Sequence, residues 1–326
     1  MGARLSSVEV CLTAPKEYAP MRLLLTALSA LALYVLTLSD AAACACGCGV
    51  FSVGTSSLLP NGAGGTAFLE YDYMNQSQNW SGTSSAPSAG NDDKDIRTDF
   101  YTAGLQYMFN RDWGLMAEVP YWDRLFITTQ DDGSIGGFHH DALGDIRLRG
   151  VYTGFSDDMS TGVIFGLKLP TGDYTYPNFD RDTSIGTGTT DAILGVYHEA
   201  NLNADNTWSW FAQGQWERAL NTRDGYRPGN ELDAAAGIYY SGWYVGTQGT
   251  LAPVLQLLAS DRWRDSGAQA NPPNSGYQRL LAAPGLEYDV GKLKLYADVE
   301  FPLYQNVNGD QLVAPRLYKF ILAYSF

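Results

Sequence analysis

In the stretch LYKFILAYSF, Tyr318, Phe320, Leu322, Tyr324 and Phe326 occupy every second position. Strict alternation puts these five side chains on one face of a β-strand and Lys319, Ile321, Ala323 and Ser325 on the other. A face of this kind is buried in the core of a soluble sheet or turned outward to lipid in a membrane barrel. The same period recurs upstream. In KLKLYADVEF, Leu293, Leu295, Ala297, Val299 and Phe301 oppose Lys294, Tyr296, Asp298 and Glu300. In NTWSWFAQGQWE, Trp208, Trp210, Ala212, Gly214 and Trp216 oppose Ser209, Phe211, Gln213, Gln215 and Glu217. One face is apolar and ends in aromatics, while the other is polar, charged or small.

Segments with this pattern predict strands near residues 66–80, 96–110, 113–130, 144–155, 160–174, 189–202, 206–221, 230–242, 243–258, 277–291, 292–309 and 313–326. Their connections alternate between long and short: SGTSSAPSAGNDDKD is followed by RD, and DDGSIGGFHHDAL by SDDM. Lipid cannot hydrogen-bond a bare backbone, so a membrane sheet must close on itself. The expectation is an all-β chain: a transmembrane antiparallel up-and-down β-barrel of about twelve strands, with tight periplasmic turns and long outer loops. A soluble β-sandwich is the alternative. It is disfavoured by the charges opposite the apolar face, namely Glu70, Asp72, Glu118, Arg147, Arg149, Lys168, Glu217, Asp233, Glu287, Asp289, Lys294, Asp298 and Glu300. In a barrel these residues line a wet lumen.

The amino-terminal segment has a different character. MRLLLTALSALALYVLTLS, from Met21 to Ser39, joins a basic start at Arg22 to an apolar run and then to Ala41, Ala42 and Ala43. This is the pattern of a secretory signal cleaved after Ala43 or Ala45, with a retained anchor helix as the alternative. Residues 1–43 are therefore expected to be leader and signal peptide, with Met21 a candidate true start. Residues 44–65 form a Cys- and Gly-rich periplasmic segment or inner plug, and residues 66–326 form the barrel. The mean hydropathy of -0.18 argues against a bundle of membrane helices. A net charge of -14 argues against a nucleic-acid partner, because phosphate binding needs clustered Lys and Arg.

The run GVIFGLKLPTGDY, followed by SIGTGTTDAILGVYHE, resembles the outer-membrane barrel family named for the meta-pathway of phenol degradation, a transporter-like family. The matching residues are Gly166, Leu167, Lys168, Leu169, Pro170, Thr171, Gly172 and Asp173, then Gly186, Thr187, Gly188, Thr189 and Asp191. The resemblance implies an outer-membrane location and a transport role. Independently of it, Pro170 suits a strand end, and Gly172, Gly186 and Gly188 suit turns, so the signature also reads as architecture.

Two groups invite metal or acid–base chemistry. Cys44, Cys46 and Cys48 in CACGCG suit a soft metal ion, a disulfide with a spare thiol, a bridge to a periplasmic partner, or lipid attachment at Cys44. His139, His140 and Asp141 in the second long loop suit a metal or a general base, but adjacent His in a Gly-rich loop are more often simply solvated. His198 falls on the lipid-facing side. No Ser, His and carboxylate grouping stands out by spacing, so no enzymatic activity is expected.

The leading expectation is an outer-membrane channel, monomeric or oligomeric, for small solutes. An excess of lumen carboxylates would favour cations or neutral compounds, including aromatic and hydrophobic ones. Opposite charges on neighbouring strands also suit a packed lumen that they merely stiffen. The alternative function is a structural or interaction barrel whose CACGCG segment binds a metal or docks a redox partner.

Overall fold

A computed structural model describes residues 58–60, 62–246 and 249–326. Residues 1–43 and Cys44, Cys46 and Cys48 lie outside the described residues.

Twelve long antiparallel strands close into a ring: β1 (Gly64–Gln76), β2 (Asp93–Met108), β3 (Trp113–Thr129), β4 (Arg147–Tyr152), β5 (Thr161–Lys168), β6 (Asp191–Asn201), β7 (Trp208–Ala219), β8 (Glu231–Tyr240), β9 (Gly249–Arg262), β10 (Tyr277–Val290), β11 (Leu293–Val313) and β12 (Leu317–Ser325). Each pairs with its neighbour in sequence, and β12 pairs back onto β1, from Thr66 opposite Ser325 to Met74 opposite Leu317. Beyond this ladder, the amides of Gly65 and Phe326 exchange hydrogen bonds with each other's carbonyls, at 3.1 and 2.9 Å. No wall strand is left with an unpaired edge, which is the form a sheet must take where no water can satisfy its backbone.

The alternation read from the sequence becomes the two faces of the wall. On β12, Phe320, Leu322 and Tyr324 are 49%, 43% and 45% exposed, whereas Lys319, Ile321 and Ala323 are 4%, 2% and 2% exposed. Across the seam, Leu322 faces Leu69 on β1 and Leu295 on β11. Aromatic rings bound this aliphatic band on both sides. Tyr71, Tyr101 and Tyr121 run in a chain with ring centres 5.2 and 6.5 Å apart near the long loops. Trp113 with Tyr152, and Trp208 with Tyr240, stand 4.7 and 4.9 Å apart near the short turns. An apolar band between two aromatic girdles is the outer surface of a membrane-spanning barrel.

The structure corrects several sequence expectations. The stretch assigned to the second long loop is largely strand: Ile135–Leu143 pairs with the outer half of β3, from Thr129 opposite Ile135 to Tyr121 opposite Leu143. His139 and His140 therefore sit on a hairpin arm standing above β3. Strand 160–174 ends at Lys168, where Leu169-Pro170 gives way to loop. Strand 243–258 begins only at Gly249, because Trp243–Val245 folds back to pair with the start of β9. Strand 66–80 divides into β1 and the short strand Gln78–Gly82, which pairs with the outer part of β11.

The inward face is also less wet than expected. Phe100, Phe211, Met74, Leu258 and Leu281 are fully buried in it and form one apolar cluster with Phe68, Tyr197, Tyr296 and Ile321. Charged residues are set among these apolar ones.

If Leu322 faces hydrocarbon, Leu322→Arg should destabilise the barrel by roughly 2–4 kcal/mol in lipid vesicles, the cost of a charge near the bilayer midplane. Urea unfolding followed by tryptophan fluorescence would measure it. An unchanged midpoint would place Leu322 elsewhere.

Candidate functional site

All thirteen charged residues singled out in the sequence lie on the inward face, most of them buried or half-buried. The ring brings them together in groups that no single strand reveals. Asp72 on β1 lies opposite Lys319 on β12, and Lys319 lies opposite Asp298 on β11. The Lys319 ammonium is 2.9 Å from Glu70 Oε1 and 3.0 Å from Asp72 Oδ1. A second ammonium, that of Lys168 on β5, sits 2.5 Å from Asp191 on β6 and 2.6 Å from Glu217 on β7, with Arg147 3.5 Å from Glu217. Lys294 on β11 reaches Glu287 at 3.2 Å and Asp289 at 3.8 Å on β10. Arg149 grips Glu118 with both terminal nitrogens, each at 3.1 Å, in the two-point geometry that suits guanidinium and carboxylate.

The remaining carboxylates lean on neutral donors. Tyr296 donates to Asp298 at 2.7 Å, and Gln256 donates to the same Asp298 oxygen at 3.0 Å. Glu231 accepts from Ser260 at 3.1 Å and from Tyr277 at 2.8 Å. Single oxygens of Asp72, Asp233, Asp298 and Glu300 are buried without a hydrogen-bond partner.

A cavity of about 140 Å³ lies within this lumen. Glu70, Glu118, Glu217, Glu231 and Asp233 line it, together with Arg147, Arg149 and Lys319. Its apolar lining includes Phe68, Met116, Trp122 and Ile164, and also Leu58, Leu59 and Pro60 from the segment preceding β1. Leu59 is buried against the same interior cluster. Leu58, Leu59 and Pro60 are therefore seated inside the barrel.

At the long-loop end, the β5–β6 connection (169–190) folds inward. Asp145 accepts from the Gly172 amide at 3.0 Å, and from the Thr187 amide and hydroxyl at 2.9 and 2.8 Å. Gly172 and Gly186 meet backbone to backbone. A Cβ on Gly186 would lie 2.5 Å from the Gly172 carbonyl oxygen, so both positions exclude side chains. The fully buried Arg124 donates to the Thr183 carbonyl at 2.5 Å. Arg181 lies between the rings of Tyr174 and Tyr226, 4.9 and 4.5 Å from their centres. Burial, with a hydrogen bond to Asp265, holds the Tyr226 phenol well above its ordinary pKa. His140 stacks on Tyr176 with ring centres 3.7 Å apart and lies 3.2 Å from Asp173, while His139 lies 2.5 Å from Asp123. The two His side chains are thus tied to separate carboxylates. Among the described residues no group of three or more His, Cys, Asp or Glu side chains has the arrangement of a metal site.

The runs 166–173 and 186–191 fall on this mouth. Lys168 and Asp191 form an ion pair across β5 and β6, and Gly172, Gly186 and Thr187 gather around Asp145. Sequence reasoning missed Lys319, Asp191, Glu231, Gln256 and Tyr296 as lumen residues. For Lys319, Glu231 and Tyr296 the signal was present, since each falls on the polar side of an alternating run.

No family model matches the chain, and no curated protein matches it in sequence. Among solved structures, an outer-membrane channel from Pseudomonas putida is similar at a TM-score of 0.63 and 14% identity, over 84% of this chain and 100% of that one. The beta domain of the Bordetella autotransporter BrkA gives 0.48 at 15% identity, over 81% and 100%. The Pseudomonas putida toluene transporter TodX gives 0.40 at 13%, over 88% and 96%. The chain has the fold of an outer-membrane β-barrel. At these identities the likeness is one of fold, and the first structure carries it.

Removing one partner of a buried ion pair leaves the other charge unsatisfied. Lys319→Met should therefore cost about 3–5 kcal/mol, because it strands both Glu70 and Asp72. Parallel urea titrations of Lys319→Met and of the exposed control Lys292→Met would show it. Equal midpoints would mean that the Lys319 cluster is not buried as described.

Proposed function

We propose that the protein is a gated channel of the outer membrane that passes small solutes, its lumen favouring cations and neutral compounds over anions. The cavity beside the interior carboxylates carries this reading. Leu58, Leu59 and Pro60, which precede β1, help to line it, and the inward-folded loop 169–190 lies at the long-loop mouth; both belong to connections outside the hydrogen-bonded wall. A wall of backbone ladders does not open, whereas segments of this kind move without breaking it. The carboxylates lining the cavity outnumber the cations there, which supports the charge preference.

In this reading the Met21–Ser39 signal directs export, and the short turns, together with β1's first residue Gly64, face the periplasm. The segment 44–65 is an inner plug that continues from Leu58, Leu59 and Pro60. The signature from Gly166 to Asp173 supports membership in the phenol meta-pathway family. It is the reason to include neutral aromatic compounds among the solutes. The protein acts as a passage and not as an enzyme.

The filled interior favours one second reading: a structural or interaction barrel whose Cys44, Cys46 and Cys48 bind a soft metal or dock a periplasmic redox partner. Planar-bilayer recordings under a salt gradient separate the two. The channel reading expects cation-selective openings that persist when the three cysteines are changed to Ser. It also expects conductance to rise several-fold when residues 44–63 are removed. Silence from both the intact and the shortened barrel, each shown to be folded, would overturn the channel reading and leave the docking one.

A further inference from the structure

The charges around the cavity are unevenly satisfied. On one side Glu70, Glu118 and Glu217 are each in an ion pair, with Lys319, Arg149 and Lys168 respectively. On the side formed by β8, Glu231 accepts from the hydroxyls of Ser260 and Tyr277, feels the charge of Arg147, and among the described residues is in no close ion pair. Asp233, two residues along the same strand, is 6% exposed, and its Oδ1 is buried without a hydrogen-bond partner. Near Asp233, Glu231 and Glu217 add negative charge, and the Ser260 hydroxyl and Arg279 oppose it. A buried carboxylate in that position favours a neighbouring positive charge.

The rest of the cavity restricts what such a charge is attached to. Phe68, Met116, Trp122 and Leu59 make much of the lining apolar, and about 140 Å³ holds only a small molecule. Elsewhere the lumen already binds ammonium groups in a consistent way. Lys319, Lys168 and Lys294 each place one ammonium between two carboxylates. Glu231 and Asp233 form a neighbouring carboxylate pair with no lysine between them among the described residues.

We infer that this cavity is a binding site for a small organic monocation, a primary ammonium on an apolar or aromatic body. The ammonium is held by Asp233 and Glu231, and the body lies against Phe68, Met116 and Leu59. The inference deepens the channel reading by naming a solute class, but binding does not require that the barrel conduct.

Isothermal titration of the protein in detergent micelles with benzylammonium chloride tests it, with neutral benzyl alcohol as the isostere. Saturable binding of benzylammonium is expected, with benzyl alcohol about tenfold weaker or worse. Asp233→Asn and Glu231→Gln, both near-isosteric, should each weaken benzylammonium binding by about tenfold and leave benzyl alcohol unchanged. Folding of each variant is checked by its heat-modifiable gel mobility, and the two variants guard against one failing to fold. No saturable binding to the native protein, equal binding of the two probes, or affinity unchanged in both variants overturns the inference. Binding in micelles combined with a silent bilayer would sustain this site while sinking the channel reading. Conductance without binding would do the reverse.

Discussion

The structure depends on the pairing of its first wall strand with its last. Until β12 lies against β1, the sheet has two long edges whose amides and carbonyls have nothing to bond in hydrocarbon. Once Thr66 faces Ser325 and Met74 faces Leu317, every wall strand has two neighbours. Closure also fixes the direction of each side chain, since a slip of one residue would exchange the lumen and lipid faces of a whole strand. The aromatic run on β12 is outside because Lys319 on the same strand has its partners inside.

That inside is electrostatically constrained. A buried ammonium or carboxylate is tolerated only when paired and hydrogen-bonded. Lys319, Lys168 and Lys294 meet this condition by reaching carboxylates on adjacent strands. Each group thus ties neighbouring strands at a defined register. The apolar residues between the groups fill much of the remaining volume and leave a modest cavity beside them. At the mouth, Asp145 organises the inward loop through backbone amides, which explains why Gly172 and Gly186 are glycine and why the signature around them is compact.

Most of the fold was legible in the sequence, because a period of two is a local property and twelve segments displayed it. Lumen assignment was legible for the same reason. Which charge meets which was not. Lys319 and Glu70 are 249 residues apart, and only ring closure makes them neighbours. The arm carrying His139 and His140 was read as loop from its glycines. It is strand because the outer half of β3 offers it a ladder, a tertiary effect that local composition does not report. The packed state of the lumen was equally hidden, since alternation shows which side chains point inward but not how much space remains. Phe100 and Phe211 occupy positions that the pattern assigns simply to the inner face.

The central claim is the partition of the wall into a lipid face and a lumen face. The most direct measurement is electron paramagnetic resonance of single nitroxide labels placed in turn at positions 318 to 324, in a protein whose native cysteines are Ser, reconstituted in vesicles. Collision with dissolved oxygen, which concentrates in lipid, should be high at 318, 320, 322 and 324 and low at 319, 321 and 323. A flat profile along the strand, or one with the opposite phase, would contradict the barrel described.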